Sequence, residues 1–166
     1  MARPGTRGAW CHRLRVMAID GLVLDVPDTP DNDKEFGRCG NDETPGPLPQ
    51  VRLVELGECG THAVVDAEQA GVTTGEQTLA QRLISRLVPG MLVLADRNFS
   101  SYQAWQQAVA TGAALLWRVS ATLTLPVLEW LPDGSSRSVL INPRIRGRRR
   151  QTLLAAAAAG ADLDPS

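Results

Sequence analysis

The sequence predicts an α/β protein with a mixed β-sheet, and three features of its pattern indicate this fold class. Three strand-like segments in the first half of the chain predict an antiparallel meander. Beyond about residue 72, apolar residues recur at helical spacing, and strands then alternate with helices. Such crossovers place parallel strands beside the meander and pack helices on the sheet. With 166 residues, 43% of them apolar and 21% charged, the chain can bury the core of one globular domain.

The first predicted strand, Arg15–Pro27, is apolar but carries an aspartate in its middle. In an extended segment Asp20 shares a face with Ala18 and Leu22, because strand side chains alternate. A carboxylate on a buried apolar face costs several kcal/mol, roughly, unless a cation or hydrogen bonds compensate it. Asp20-Gly21 is also the dipeptide of a type I′ hairpin turn. From this stretch alone, both a turn and a functional carboxylate remain open.

The next part of the chain predicts a long loop followed by the rest of the meander. Residues Asp28–Gln50 are rich in Pro, Gly, Asp and Asn, which is typical of a long loop. Val51–Leu56 alternates apolar and charged residues, as a half-buried strand does. A turn at Glu58–Thr61 then leads into a partner strand at His62–Ala67.

A helix is predicted after the meander. Thr73 with Glu76, and Thr74 with Gln77, both match a capping box. The apolar stripe of this helix consists of Leu79, Leu83, Ile84 and Leu87. Pro89-Gly90 ends the helix.

A strand, a second helix and another strand follow. Met91–Ala95 is a continuous apolar run, which predicts a strand buried on both faces, and it ends at Asp96. Ser100 or Ser101 is suited to cap the next helix, and Gly112 to end it. The predicted face of this helix carries Tyr102, Trp105 and Val109. Ala114–Val119 is the next predicted strand.

Beyond this core, the sequence predicts two short strands and a basic end. The strands are Thr122–Val127 and Ser138–Ile141, with a turn at Pro132–Ser135 between them. No acidic residue occurs between Gly134 and Ala161, a stretch that holds Arg137, Arg144, Arg146, Arg148, Arg149 and Arg150. Such a block either contacts phosphates or forms a solvated tail. The formal net charge of the whole chain is -1, so bulk charge indicates no polyanionic partner.

Cysteine usage and hydropathy bear on the compartment. The three cysteines show no disulfide framework, which suits a reducing cytoplasm. Cys59 and His62 have a metal-like spacing, but no paired C-x-x-C motif supports a zinc site. No apolar run approaches the ~18 residues of a membrane span. We therefore expect an intracellular protein.

The two strand-associated aspartates predict a site if their strands are neighbours. The most economical arrangement puts the strand before Asp96 beside the strand bearing Asp20. Two carboxylates that close repel each other unless divalent cations lie between them. Mg²⁺ prefers a few carboxylate oxygens together with waters and phosphate oxygens, and a pair of ions about 3.5–4 Å apart cleaves phosphodiesters. Alternatively, Asp96 is a strand-terminal loop residue or a helix cap.

Several motifs occur in the order that is typical of one family. They are Met17–Gly21, Pro27–Asn32, Glu35–Gly37, Pro49–Val54, Gly60–Val64, Gly90–Phe99, Thr111–Ala113 and Leu116–Val119. In these motifs the chain resembles DDE transposases, most closely the bacterial branch typified by insertion sequence four. The resemblance extends from about Trp10 to Arg146.

This resemblance implies a fold, a chemistry and a site. It implies an RNase H-like catalytic core that cuts and joins DNA with Mg²⁺ (or Mn²⁺) held by two aspartates and a glutamate. By motif, Asp20 matches the first catalytic and metal-binding aspartate and Asp96 the second, which favours a strand residue over a turn at Asp20. The arginines expected to face DNA phosphates are Arg97, Arg118, Arg144 and Arg146. The resemblance also implies double-stranded DNA at transposon ends as a partner and, in the full-length family, a second subunit of a homodimer. The implied location is the bacterial cytoplasm, at the nucleoid.

The sequence departs from the family pattern at its two ends. The family's third carboxylate lies on a later helix, but no glutamate follows Glu129. The family's N-terminal DNA-binding helices have no counterpart before Trp10. These departures predict a remnant that is truncated at both ends and inactive in transposition. Its predicted organisation is a disordered lead (1–13), a partial core (14–121), a partial β insertion (122–146) and a disordered basic, alanine-rich tail (147–166). Two alternatives are a non-catalytic DNA-binding or regulatory remnant and an unrelated α/β module with structural aspartates.

Overall fold

A computed structural model of the protein describes residues 2–40 and 43–161. The chain divides into two compact units, with the boundary between Val119 and Ser120. The strands of the first unit are β1 (Trp10–Cys11), β2 (Leu14–Asp25), β3 (Arg38–Gly40), β4 (Pro45–Glu58), β5 (Ala63–Gly71), β6 (Met91–Ala95) and β7 (Ala114–Trp117). Its helices are α1 (Pro30–Phe36), α2 (Glu76–Ile84), α3 (Tyr102–Ala110) and a short 3₁₀ helix (Arg97–Phe99).

These strands form one mixed sheet, with β2 at its centre. On one side β2 pairs antiparallel with β4, which in turn pairs antiparallel with β5 and β3. On the other side β2 runs parallel to β6, and β6 runs parallel to β7. The short β1 pairs with the start of β2. The predicted α/β fold with a mixed sheet is thus confirmed, and the expected adjacency of the strands before Asp20 and Asp96 is present.

The core lies between one face of the sheet and the helices α2 and α3. Alternation along β2 turns Met17 and Ile19 to this face, where they are buried with Val54 and Leu56 of β4. The predicted apolar stripe is buried in this cluster: Leu79, Leu83 and Ile84 belong to α2, and Leu87 lies just beyond the end of the helix. Fully burying a side chain of this size contributes ~1.5–3 kcal/mol, so the stripe holds α2 firmly on the sheet.

The opposite face of the sheet corrects one prediction. In β6, Val93 and Ala95 are buried in the core, but Leu92 and Leu94 are only half-buried. Leu116 of β7, paired with Leu94, is 61% exposed. The strand is therefore not buried on both faces, because α2 and α3 pack together on the same side of the sheet.

The segment predicted as a long loop contains two short elements and the start of β4. Thr29 begins α1 by accepting a hydrogen bond from the Asn32 amide at 3.2 Å, and Pro30 occupies the first turn. Arg38 at the start of β3 ties the segment together through Asp28 at 2.5 Å and Asp33 at 2.7 Å. Some of the residues that predicted a loop thus support ordered structure: Pro30 begins a helix, and Asp28 and Asp33 are ion-pair partners.

The ends of α2 differ from prediction. The N-cap residue is Gly75, which has no side chain to accept a hydrogen bond, so the capping boxes expected at Thr73 and Thr74 are wrong. The helix ends at Ile84, before the predicted stop at Pro89-Gly90.

For α3, the predicted caps are confirmed and the predicted face is wrong in part. Ser101 accepts a hydrogen bond from the Ala104 amide at 3.1 Å, and Gly112 has a φ of 78° just past the helix end. The buried residues of α3 are Ala104 and Ala108, whereas Val109 is 51% exposed. The small residues of α3 therefore face the core, and the predicted Val109 does not.

The second unit contains a small hairpin and a helix. Strands β8 (Val127–Trp130) and β9 (Ser136–Ser138) pair antiparallel around the predicted turn. In that turn, hydrogen bonds from the Ser135 hydroxyl and amide hold the pKa of Asp133 below its usual range. Both strands are displaced from their predicted positions. Of the strand predicted at 122–127, only Val127 is part of β8, and of the strand predicted at 138–141, only Ser138 is part of β9.

The two segments predicted to be disordered contain ordered elements. Helix α4 (Gly147–Ala158) occupies much of the predicted tail, because its alanine run has the highest helix propensity. Residues 162–166 of that prediction lie outside the described residues. In the predicted lead, Ala9 is buried and Trp10 and Cys11 form β1.

No helix in the described ranges is long and apolar enough to cross a membrane.

Candidate metal and active site

The sheet brings Asp20 and Asp96 to one cleft. The parallel register pairs Ile19 with Ala95, so each aspartate is the next residue along its own strand direction. A hydrogen bond of 2.9 Å from the Arg118 amide to the Ala95 carbonyl places Arg118 at the same level. An open cavity of about 570 Å³ is lined there by Ala18, Ile19, Asp20, Leu94, Ala95, Asp96, Leu116, Trp117 and Arg118.

Asp20 lies within the continuous strand β2, so the hairpin-turn interpretation is wrong. It faces Glu55 across the antiparallel pair with β4. Its side chain is exposed and accepts a hydrogen bond from the Gly21 amide at 2.8 Å. The desolvation cost expected from the sequence does not arise, because the face that carries Asp20 is open to water at this point.

Asp96 follows β6 directly and begins the 3₁₀ helix. Its side chain makes no capping hydrogen bond, so the carboxylate is not used as a helix cap. Its carbonyl accepts a hydrogen bond of 3.0 Å from the Phe99 amide, and the buried Phe99 ring anchors this turn to the core. The backbone at Asp96 is therefore fixed while its carboxylate is directed to solvent.

Arg118 is the cation nearest to Asp96 among the described ion pairs. Its Nη1 atom lies 3.7 Å from Oδ1 of Asp96, and the two side chains are 72% and 51% exposed. An exposed pair at this distance contributes no more than about 1 kcal/mol. The pair leaves the Asp96 carboxylate accessible to a second cation and the Arg118 guanidinium accessible to an anion.

The donor chemistry at the cleft fits a hard divalent cation. Asp20 and Asp96 offer carboxylate oxygens from neighbouring parallel strands, and the open cleft admits the waters that Mg²⁺ retains. Among the described residues, no group of three or more His, Cys, Asp or Glu side chains is placed to hold one ion, and this includes Cys59 and His62. Of the described carboxylates, Asp20 and Asp96 line this cleft.

The other arginines expected to face DNA are exposed. Arg97 follows Asp96 and opens the 3₁₀ helix. Arg144 and Arg146 belong to the second unit and precede α4. Of the four arginines, only Arg118 is among the residues that line the described cavity.

The first turn of α2 holds two contacts that the sequence did not predict. Gln77 Nε2 donates a hydrogen bond of 2.8 Å to the carbonyl of Asn98, in the 3₁₀ helix after Asp96. The Glu76 side chain lies over Gly21, where a Cβ atom would come within 1.8 Å of Glu76 Oε1. The Asp20-Gly21 dipeptide did carry a signal, since a glycine inside a strand also marks close approach of another group.

A buried carboxylate network was also not predicted. Glu58, opposite Met17 in the β2–β4 pair, is buried at a position where the sequence predicts the start of a turn. It accepts hydrogen bonds from the Thr61 hydroxyl, the Arg15 side chain and the Ala2 amide. Together, and with Thr61 contributing most, these donors outweigh burial and hold the pKa of Glu58 below its usual value.

The chain is similar to two curated proteins over part of its length. It is 34% identical over 102 residues to the transposase InsG for insertion sequence element IS4 of Escherichia coli (strain K12), covering 60% of this chain and 23% of the relative. Over these residues the chain is similar to a transposase of the IS4 type. The putative transposase InsZ of the same organism is 29% identical over 91 residues, covering 54% of this chain and 30% of the relative. The matches therefore span less than a third of the length of either relative, and no protein-family model matches the chain.

Proposed function

We propose that the chain carries the two-aspartate part of a metal-dependent DNA-cutting and strand-transfer centre of an IS4-type transposase. The observation that carries this proposal is the parallel register that sets Asp20 and Asp96 side by side at one open cleft. The alternative of an unrelated module with structural aspartates has less support. Neither carboxylate is buried, and neither forms a short ion pair.

The sheet order supports an RNase H-like core. An antiparallel meander of β2, β4 and β5 precedes two strands, β6 and β7, that run parallel to β2. The helices α2 and α3 form the crossovers into these parallel strands. This is the arrangement that the resemblance to DDE transposases implies for the catalytic core.

Each residue at the cleft has a proposed role. Asp20 and Asp96 hold Mg²⁺ or Mn²⁺ through their carboxylate oxygens, and the ion when bound supplies Lewis-acid activation of water and of a phosphodiester. Arg118 binds a phosphate oxygen of double-stranded DNA, since its guanidinium is exposed and only weakly paired. Arg97 adds positive charge beside Asp96 for the same purpose.

The donor set also favours a chain that is inactive in transposition on its own. Two carboxylates without a third leave a second ion poorly held, and phosphodiester cleavage by two ions requires both. We therefore propose that the chain binds divalent cations but does not by itself transpose DNA.

A plasmid-nicking assay tests this proposal. Supercoiled plasmid incubated with the chain and Mg²⁺ or Mn²⁺ should show little or no nicking, because the centre is incomplete. Asp20→Asn is the test variant, and Asp25→Asn, exposed on the same strand, is the matched control. Robust nicking that Asp20→Asn abolishes and Asp25→Asn preserves would overturn the inactivity while supporting the catalytic role of Asp20.

A non-catalytic DNA-binding function is the second candidate, and the arginines around the start of α4 favour it. Arg144, Arg146 and Arg148–Arg150 lie within seven residues, and the described structure gives them no ion pair. Cations in the first turn of a helix oppose its dipole, so an anion there is favourable.

The salt dependence of DNA affinity tests whether these arginines, rather than the aspartates of the cleft, bind DNA. If these arginines bind phosphates, replacing Arg148–Arg150 with glutamine should reduce the slope of log affinity against log salt concentration by about 3. Asp20→Asn should leave the slope unchanged. No binding to duplex DNA at low salt would rule this function out.

A further inference from the structure

We infer that the first turn of α2 positions the two aspartates relative to each other, and that Gln77 is a positioning residue for Asp96. The inference rests on the proposed function, since it concerns how the cleft holds a cation. Two consecutive residues of one helix, Glu76 and Gln77, contact the two chain segments that carry Asp20 and Asp96.

The contact on the Asp96 side is a side-chain hydrogen bond to backbone. Gln77 Nε2 lies 2.8 Å from the carbonyl oxygen of Asn98, two residues beyond Asp96. The same turn is held from inside by the buried Phe99 and by the bond from its amide to the Asp96 carbonyl. The Gln77 amide is therefore a second anchor for a turn whose core side is already fixed.

The contact on the Asp20 side is steric. Glu76 occupies the space that a side chain at position 21 would fill, with its Cδ and Cγ atoms 2.7 and 3.1 Å from the place of a Cβ atom. Gly21 also donates its amide hydrogen to the Asp20 carboxylate. The first turn of α2 thus contacts the strand next to Asp20 and also the 3₁₀ turn that follows Asp96.

The helix itself is rigidly seated. Leu79 and Ala80, in the turn that follows Gln77, are buried in the core, while Gln77 is exposed. Loss of the Gln77 amide therefore leaves the packing of α2 intact and frees only the turn that carries Asp96. Because metal ligands must be held within a fraction of an ångström, such freedom lowers cation affinity more than stability.

Mn²⁺ binding to Gln77→Ala tests the inference. Titration of the full chain with Mn²⁺, followed by the electron paramagnetic resonance signal of the free ion, should show roughly fivefold weaker binding than the wild type, the equivalent of one lost hydrogen bond. The bound-ion line shape should change as well. The melting temperature, measured by circular dichroism, should stay within about 2 °C of the wild type.

Gln81→Ala is the matched control. Gln81 is the same residue type one turn later on α2, and its side chain has no hydrogen bond to the described residues. It should bind Mn²⁺ as the wild type does. Equal binding by Gln77→Ala and wild type, equal losses in both variants, or a large fall in the melting temperature of Gln77→Ala would each overturn the positioning role. Wild-type binding that Asp96→Asn leaves unchanged would instead contradict the proposed function, and the inference with it.

Discussion

Asp20 is a charged residue in the middle of a central strand, and its side chain is exposed at the cleft. Alternation along β2 placed Asp20 on the face of Ala18 and Leu22, and this is where it lies. The expected penalty for burying a charge did not apply, because that face is open at the cleft. A strand pattern fixes which side chains share a face, but which face the helices cover depends on tertiary packing.

In contrast to the exposed Asp20, the carboxylate of Glu58 is buried and accepts hydrogen bonds from three residues. Its Thr61, Arg15 and Ala2 partners come from three separate segments, so no local pattern could predict the network. The unpaired Nη2 atom of Arg15 is buried beside this carboxylate network. Removing the Glu58 charge would leave the cation partly buried and without compensation.

We expect Glu58→Gln to lower the melting temperature by several degrees at pH 7. The native pKa of Glu58 lies below the ordinary 4.5, so its ionised form stabilises the fold above that pH. As the pH falls below 4.5 and through the native pKa, the carboxylate protonates and this stabilisation is lost. The difference in melting temperature between wild type and variant should therefore shrink between pH 5 and pH 3.

Glu35→Gln, at an exposed position of α1, is the control for this pH series. Its melting curve should follow the wild type at each pH, because the described structure gives Glu35 no hydrogen bond or ion pair. A difference between Glu58→Gln and wild type that stays constant from pH 7 to pH 3 would show that the charge of Glu58 does not stabilise the fold.

At the level of elements, the long apolar patterns were predictive and the short ones were not. The apolar stripe predicted for α2 is buried, and Met91–Ala95 forms a strand, although one face of that strand is only half-buried. In α3 the sequence favoured its large residues for the core, whereas Ala104 and Ala108 make the contact and Trp105 packs edge-on against Trp117 with ring centres 5.5 Å apart. Close approach of a helix selects small residues, and a single helix pattern does not reveal how close the neighbouring element comes.

Two valine-to-alanine substitutions compare the loss of stability at a core position with the loss at an exposed helix position. Val93→Ala in β6 removes a fully buried side chain and should lower the free energy of unfolding by about 2 kcal/mol. Val109→Ala in α3 makes the same chemical change at a half-exposed position and should cost less than about 0.5 kcal/mol. Urea denaturation gives both values. Similar losses in the two variants would contradict the placement of Val109 outside the core.

At the level of the whole molecule, the order of elements was sufficient to predict a mixed sheet and the adjacency of the two aspartate-bearing strands. Right-handed crossovers leave few places for a strand that follows a meander and a helix, so β6 could be placed beside β2. The first turn of α2 could not be predicted as a link between the strands, because its two contacts join residues distant in sequence. Helix α4 was missed because a basic, alanine-rich stretch was interpreted by its charge rather than by its helix propensity.

A cation titration tests the central proposal most directly. Mn²⁺ binding to the full chain, measured by isothermal titration calorimetry, should be weakened at least about tenfold in both Asp20→Asn and Asp96→Asn, since each variant removes one of two protein ligands. Asp25→Asn, which lies on the same strand and accepts a hydrogen bond from Gln50 at 2.7 Å, should bind as the wild type does. Binding that neither Asp20→Asn nor Asp96→Asn weakens, or no binding to the wild type at millimolar Mn²⁺, would contradict a metal site at this cleft.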